Sequence, residues 1–149
     1  MIIKEQANSF CKNYVNALLL RIQKSIKGLQ ESLSSETKSS AGDKHETGRA
    51  MLQLEREKLG TQLAEAEKLN QILAKVSPES NTAAIGLGSL VITSQATYYI
   101  AISAGMFEHE SHKVYCISLQ TPIAQLLFGK TKGDVVHFNN NDIHIQEVL

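Results

Sequence analysis

The feature that most constrains the fold is a regular spacing of apolar residues along the first half of the chain. Over residues 4–33 these positions alternate between spacings of four and three residues, and residues 43–76 carry a seven-residue repeat. A mean period of about 3.5 residues predicts two α-helices, each of which packs against another helix along one seam. The seam residues are Val15, Leu19, Ile22, Ile26, Leu29 and Leu33 in the first pattern and Leu52, Leu59, Ala66 and Leu73 in the second.

The stretch between the two patterns is short and polar. Residues 39–47 read Ser-Ser-Ala-Gly-Asp-Lys-His-Glu-Thr, and only Ala41 among them is apolar. Such a stretch cannot bury a face, so it predicts a turn between the helices. Residues 1–76 are therefore predicted to form an antiparallel helical hairpin. A helix of about 30 residues spans about 45 Å, which is the length expected for each arm.

Two acids, Asp43 and Glu46, lie three residues apart at the predicted tip of this hairpin. One interpretation is structural: an Asp N-cap followed by an acid at the third helical position stabilises a helix start. The other is functional, because side chains at i and i+3 share a helix face and both carboxylates can converge on one ion. Mg²⁺ suits such a pair, since it binds one or two carboxylates together with waters and substrate oxygens. Two exposed carboxylates are too few ligands for tight binding by the tip alone.

The pattern changes after Ser77-Pro78, where the helical spacing stops and residues 77–84 are predicted to form a linker. Residues 85–149 then alternate with a period of two, which is typical of strands. The sequence therefore predicts an α+β protein whose second domain holds a small antiparallel sheet. The predicted strands cover residues 90–92, 98–102, 114–117, 135–138 and 143–148.

One short helix is predicted between the third and fourth of these strands. Thr121 suits the N-cap, Pro122 suits the first helical position, and Gly129 suits the position just past the C-terminus.

The two cysteines of the chain do not indicate a disulfide framework or a metal site. Cys11 and Cys116 are predicted to be buried, reduced thiols, because both have apolar neighbours and no metal-binding spacing is present.

The remaining polar clusters are predicted to be structural. Residues 108–112, Glu-His-Glu-Ser-His, are expected to form an exposed turn rather than a metal site, and His137 and His144 are expected on adjacent strands. The net charge is zero, so no long-range field favours a nucleic acid or a membrane as a direct partner. No signal-peptide pattern or long apolar run is seen, and a cytoplasmic location is expected.

Several motifs resemble those of the Gre transcript cleavage factors of bacteria. The tip, Gly42-Asp43-Lys44-His45-Glu46, keeps the Gly-Asp-x-x-Glu spacing of that family. In the second domain, Gly88-Ser89-Leu90-Val91, the run 117–130 that contains Thr121-Pro122-Ile123-Ala124, and Gly133-Asp134-Val135-Val136 are similar to the family's pattern. In architecture the resemblance covers nearly the whole chain.

The resemblance implies a factor that acts on RNA polymerase and is not an enzyme by itself. A second domain of FKBP-like fold would dock at the rim of the secondary channel, with the turn Gln120, Thr121 and Pro122 facing the polymerase. The hairpin would bring Asp43 and Glu46 to the active centre, where they help to hold a second Mg²⁺ shared with the polymerase. The polymerase then cleaves the 3′ end of backtracked nascent RNA by two-metal hydrolysis. The resemblance implies no tightly bound cofactor, and we expect a monomer.

Two alternatives remain open at this point. After Glu46 the chain reads Thr47-Gly48-Arg49-Ala50, and Gln120 stands where the family often has Asp or Asn. These departures leave room for a Gre-fold regulator that occludes the channel without promoting cleavage. A second alternative is an FKBP-like prolyl isomerase or chaperone that uses its coiled coil to dimerise.

Overall fold

The computed structural model describes residues 2–38, 42–79 and 81–149, with side chains except at residues 2, 36–38 and 42–46. Two long helices are followed by a sheet with one short helix, which confirms the predicted α+β class. No helix of the described residues is long and apolar enough to cross a membrane. The elements are α1 (Ile2–Lys38), α2 (Gly42–Ala74), β1 (Leu90–Thr93), β2 (Thr97–Ala101), β3 (Gly105–His109), β4 (His112–Ser118), α3 (Pro122–Leu127), β5 (Val135–Phe138) and β6 (Asn141–Val148).

Contacts divide the chain into two compact units. One unit comprises Val15–Asn70, and the other comprises Met1–Tyr14 together with Gln71–Leu149. Both divisions fall inside a long helix, because the first turns of α1 bury apolar side chains with the sheet. The boundaries predicted from the sequence mark different features: 76 is the end of the helical pattern, and 84 is the end of the predicted linker. As functional domains, 1–76, 77–84 and 85–149 stay a prediction.

The unit Val15–Asn70 is a pair of antiparallel helical segments joined along the predicted seam. Leu29 and Leu33 of α1 pack with Leu59 of α2, and Ile26 and Leu52 lie against them partly buried. All five are seam residues, so the heptad interpretation of these positions is confirmed.

The sheet of the other unit has the strand order β3-β4-β2-β1-β6-β5. Its neighbours are antiparallel except for β2 and β4, which pair in parallel from Thr97 with Val114 to Ala101 with Ser118. This pairing differs from the antiparallel sheet predicted from the sequence. The reason is β3, a strand that the prediction lacked. Since β3 folds back on β4, β4 runs in the same direction as β2.

The stretch predicted as an exposed turn at residues 108–112 is mostly strand. Glu108 and His109 end β3, and His112 begins β4. Only Glu110 and Ser111 form the turn, with φ values of 47° and 68°. Two consecutive residues with positive φ are typical of a two-residue hairpin turn, whose twist matches that of the strands.

The two faces of the sheet are covered by different helices. On one face, Val91 and Ile100 belong to the main apolar cluster together with Ile123 and Leu127 of α3. Successive strand residues point to opposite faces, so Tyr99 lies on the other side from Ile100. There Tyr99 contacts Asn8 near the start of α1. The core cluster consists of Ile85, Val91, Ile100, Ile123, Leu127, Val136, Ile143 and Ile145.

Candidate docking surface and helix tip

The turn before α3 is held by the side chain of Thr121. Thr121 is the N-cap of α3, with φ −71° and ψ 148°, and its hydroxyl oxygen accepts from the amide of Ala124 at 3.3 Å. The same hydroxyl donates to the carbonyl of Ser118 at 2.9 Å. Pro122 takes the first helical position, where no amide hydrogen is needed. The predicted cap and first residue of this helix are both confirmed.

Ser118 fixes the backbone on the other side of the turn. Its amide donates to the hydroxyl of Ser103 at 3.2 Å, and its own hydroxyl accepts from the amide of Gln120 at 3.3 Å. Because these backbone groups find partners within the turn, the conformation is set before any partner binds. The side chains of Gln120 and Pro122 are exposed, and that of Thr121 is half-buried.

One side of α3 is apolar and exposed. Pro122 and Leu126 are four residues apart, so they share a face of the helix. Leu126 is 39% exposed, whereas Ile123, Ala124 and Leu127 on the opposite side are buried. Gln120, Thr121, Pro122 and Leu126 together form a rigid surface with one polar and two apolar exposed side chains, which we call the docking surface.

The end of α3 is tied to the segment before β1. Gly129 has a φ of 79°, a conformation that favours glycine, and its amide donates to the carbonyl of Ile85 at 2.8 Å. The amide of Ile85 donates in turn to the carbonyl of Lys130 at 2.8 Å. Gly129 therefore stands where the sequence predicted the end of the helix, and both ends of α3 are fixed.

The tip acids lie on the first turns of α2. This helix begins at Gly42, so Asp43 is its second residue rather than its cap. Both backbone positions lie near the positive end of the helix dipole, which favours carboxylates. The side chains of Asp43 and Glu46 lie outside the described residues, and their metal-binding role stays a prediction.

No metal centre is formed by the side chains that the structure describes. No group of three or more His, Cys, Asp or Glu residues that could hold an ion occurs among them. The ring of His109 stacks on that of Phe107, with a centroid separation of 6.3 Å. His137 pairs with Asp142 across β5 and β6, with Nδ1 2.9 Å from Oδ1. The His137 contact joins two strands, and the His109 contact lies within β3.

A group of buried contacts near the start of α1 was missed from the sequence. The hydroxyl of Tyr99 donates to Oδ1 of Asn8 at 2.8 Å. Cys11 and Cys116 are both buried, and their thiols shift each other's pKa in opposite directions. The signal that could have found this group is the placement of Ala7, Asn8 and Cys11 on one helix face ahead of the seam. Because these residues precede the seam that packs on α2, they must be buried against another part of the chain.

Replacing Thr121 with Ala is expected to lower the free energy of unfolding by about 1 kcal/mol, the usual effect of losing an N-cap side chain. The amide of Ala124 would lose its partner, and the carbonyl of Ser118 would lose the hydroxyl but keep the amide of Thr121. Urea unfolding followed by circular dichroism measures the change. Thr121→Ser keeps the hydroxyl and is the matched control. Equal destabilisation by both variants would show that the methyl group, not the cap, matters.

Comparison of this chain with protein-family models and with curated proteins found no match.

Proposed function

We propose that this protein is a Gre-like transcription elongation factor, which binds RNA polymerase in the secondary channel and stimulates cleavage of backtracked nascent RNA. The observation that carries the proposal is the position of Asp43 and Glu46 in the first turns of α2, within the polar stretch between the apolar patterns of two long helices. The motif resemblance at the tip and in the second half of the chain supports it.

The chemistry of the two acids fits a shared Mg²⁺. Side chains at i and i+3 share one helix face, so Asp43 and Glu46 can present carboxylate oxygens to one ion. Such oxygens suit Mg²⁺, but two of them leave most of its octahedral positions to other donors. The polymerase and water would supply those donors. When bound, the ion activates the attacking water and stabilises developing charge. The protein is in this view an accessory factor without a tightly bound cofactor of its own.

The docking surface provides the second part of the proposal. Its backbone is held by the hydroxyls of Ser118 and Thr121, so binding would cost little conformational entropy. Pro122 and Leu126 offer apolar area, and Gln120 offers hydrogen-bonding groups at its edge. A surface of this kind suits a protein partner better than the nascent RNA, since it presents no cationic side chain.

The proposal is tested by adding the full-length protein to arrested elongation complexes of RNA polymerase from the same organism. We expect release of short 3′-terminal RNA fragments in the presence of Mg²⁺, followed by resumed synthesis when nucleotides are added. Binding is measured separately by co-migration with the polymerase. A protein that neither binds nor stimulates cleavage would overturn the proposal.

Binding without cleavage would favour the channel-occluding regulator. The residues after Glu46, Thr47-Gly48-Arg49-Ala50, are the observation in its favour, because they depart from the family pattern next to the tip acids. Under this alternative, RNA synthesis is inhibited, and the inhibition is insensitive to Glu46→Gln. The two functions are thus distinguished in one set of reactions.

The prolyl isomerase alternative has one structural observation to support it. The rings of Tyr98 and Tyr115 lie 6.2 Å apart on neighbouring strands, and Tyr115 and Met106 are each 42% exposed. Aromatic surfaces of this kind can receive prolyl peptides. A prolyl-peptide isomerisation assay with the same protein separates this activity from the effects on transcription.

A further inference from the structure

The start of α1 places a cysteine directly over a second cysteine in the sheet. Asn8 contacts Tyr99, and Tyr99 is the register partner of Cys116 on the parallel strands β2 and β4. Cys11 follows Asn8 by three residues and therefore lies on the same helix face. The neighbouring ring of Phe10 lies 5.5 Å from that of Phe107 on β3, the strand on the other side of β4. These contacts place Cys11 above β4, on the face of the sheet that carries the side chain of Cys116.

The two thiols share one buried environment but differ in acidity. Cys11 is 0% exposed and Cys116 is 2% exposed. The hydrogen bond from Cys116, helped by one from the backbone of Ile102, lowers the pKa of Cys11 although burial acts in the opposite direction. The interaction with the Cys11 thiol, together with burial, raises the pKa of Cys116. These opposite shifts make Cys11 the more acidic of the two thiols, and a thiolate is the better nucleophile.

We propose that Cys11 and Cys116 form a thiol–disulfide exchange site, which closes to an intramolecular disulfide when the protein meets an oxidised low-molecular-weight disulfide such as glutathione disulfide. Cys11 attacks one sulfur of the reagent, forms a mixed disulfide and expels one thiolate. Cys116 then gives its proton to that thiolate and attacks the sulfur of Cys11, which expels the second half of the reagent as a thiolate. This thiolate takes up the proton that Cys11 released to solvent before its attack. The two protein thiols are oxidised and one reagent disulfide is reduced to two thiols.

Closure of this bond joins the start of α1 covalently to β4. Residues 11 and 116 are far apart in the chain, so the cross-link removes many conformations from the unfolded protein. The oxidised protein is therefore expected to unfold at a higher urea concentration than the reduced one. Because both sulfurs are buried, the exchange requires local opening of the first turns of α1, and it is expected to be slower than exchange at an exposed thiol.

The test incubates the full-length protein in glutathione disulfide under native conditions, followed by alkylation in denaturant and mass spectrometry. We expect the two free thiols to become unavailable to the alkylating reagent and a peptide pair to link Cys11 with Cys116. Reduction restores both thiols. Cys116→Ser is expected to stop at a mixed disulfide on Cys11, whereas Cys11→Ser is expected to leave Cys116 largely unmodified. That asymmetry reports the roles of the two sulfurs.

The wild-type result decides the proposal even if a variant does not fold. Cys116→Ala provides a second substitution at this buried position, and it is apolar where Cys116→Ser is polar. The proposal would be overturned if both thiols still reacted with the alkylating reagent after the protein had reached equilibrium with excess glutathione disulfide. A cross-link that forms only in denaturant or only between two copies would also overturn it. Equal modification of Cys11 and Cys116 in the two single variants would refute the assigned roles. None of these measurements depends on the polymerase.

Discussion

Asp43→Ala is expected to reduce stimulated transcript cleavage by about 100-fold, the order of effect seen when one group that stabilises charge in a transition state is removed. The remaining carboxylate of Glu46 would then be the protein's only ligand for an ion that already has few protein donors. Binding to the polymerase should be unchanged, because the docking surface is made by residues of another unit. The measurement is the rate of 3′-terminal RNA release from arrested complexes at saturating protein.

The matched control is Glu67→Ala, which removes a carboxylate from the same helix at an exposed position. Cleavage should remain at the wild-type rate in this variant, since the net charge changes equally but the tip is intact. A second variant, Glu46→Gln, keeps the size of the side chain and removes its charge. If Asp43→Ala and Glu67→Ala cleave equally well, the tip acids do not act in the reaction.

Leu127→Ala is expected to lower the free energy of unfolding by about 3 kcal/mol, within the range measured for buried leucines. Leu127 is fully buried in the main cluster beneath α3, beside Ile85 and Val136. Its removal leaves a cavity between the helix and the sheet, because both ends of α3 are fixed and limit its collapse. Urea or thermal unfolding of the purified protein measures the loss.

Leu126→Ala is the control at the adjacent position on the exposed side of α3. It should change the free energy of unfolding by less than about 0.5 kcal/mol, as expected for a surface substitution. It should weaken binding to the polymerase, since Leu126 belongs to the docking surface. Equal destabilisation by the two variants would contradict the assigned faces of α3. Unchanged binding by Leu126→Ala would remove this residue from the docking surface.

The parts of the fold that were predictable are those in which local signals agree with packing. The seam residues Leu29, Leu33 and Leu59 pack together because a period near 3.5 gives a helix one apolar stripe. Thr121, Pro122 and Gly129 mark α3 because each has a stereochemical reason to stand at a helix end. Such signals depend on a few neighbouring residues, so one sequence is enough to identify them.

What could not be predicted depends on contacts between distant parts of the chain. The strand β3 is only five residues long, so its alternation of exposed and partly buried side chains is short, and it ends in Glu108 and His109, which resemble turn residues. Its pairing with β4 became visible only with the structure, and so did the parallel pairing of β2 with β4. The contacts of Asn8 and Cys11 are also non-local, because their partners are Tyr99 and Cys116.

The candidate site divides in the same way. The helix start at Thr121 and Pro122 was predictable from the local sequence. The structure adds the exposed face that Leu126 shares with Pro122. The proposed role of Asp43 and Glu46 is different, because an ion shared with another protein would leave no requirement on this chain except spacing and position. For that reason the spacing in the sequence is consistent with both a helix start and a metal-holding pair, and only the cleavage assay separates them.

The membership of residues 1–14 in the same unit as the sheet has a consequence for the order of events on the ribosome. These residues leave the exit tunnel before the sheet is made, and the strand β4, on the face where Cys11 is buried, is synthesised much later. The segment 15–70 forms a compact unit of its own and can fold while translation continues. The start of α1 is therefore buried only after β4 has been made, and the unit around the sheet has a high contact order, which slows its folding.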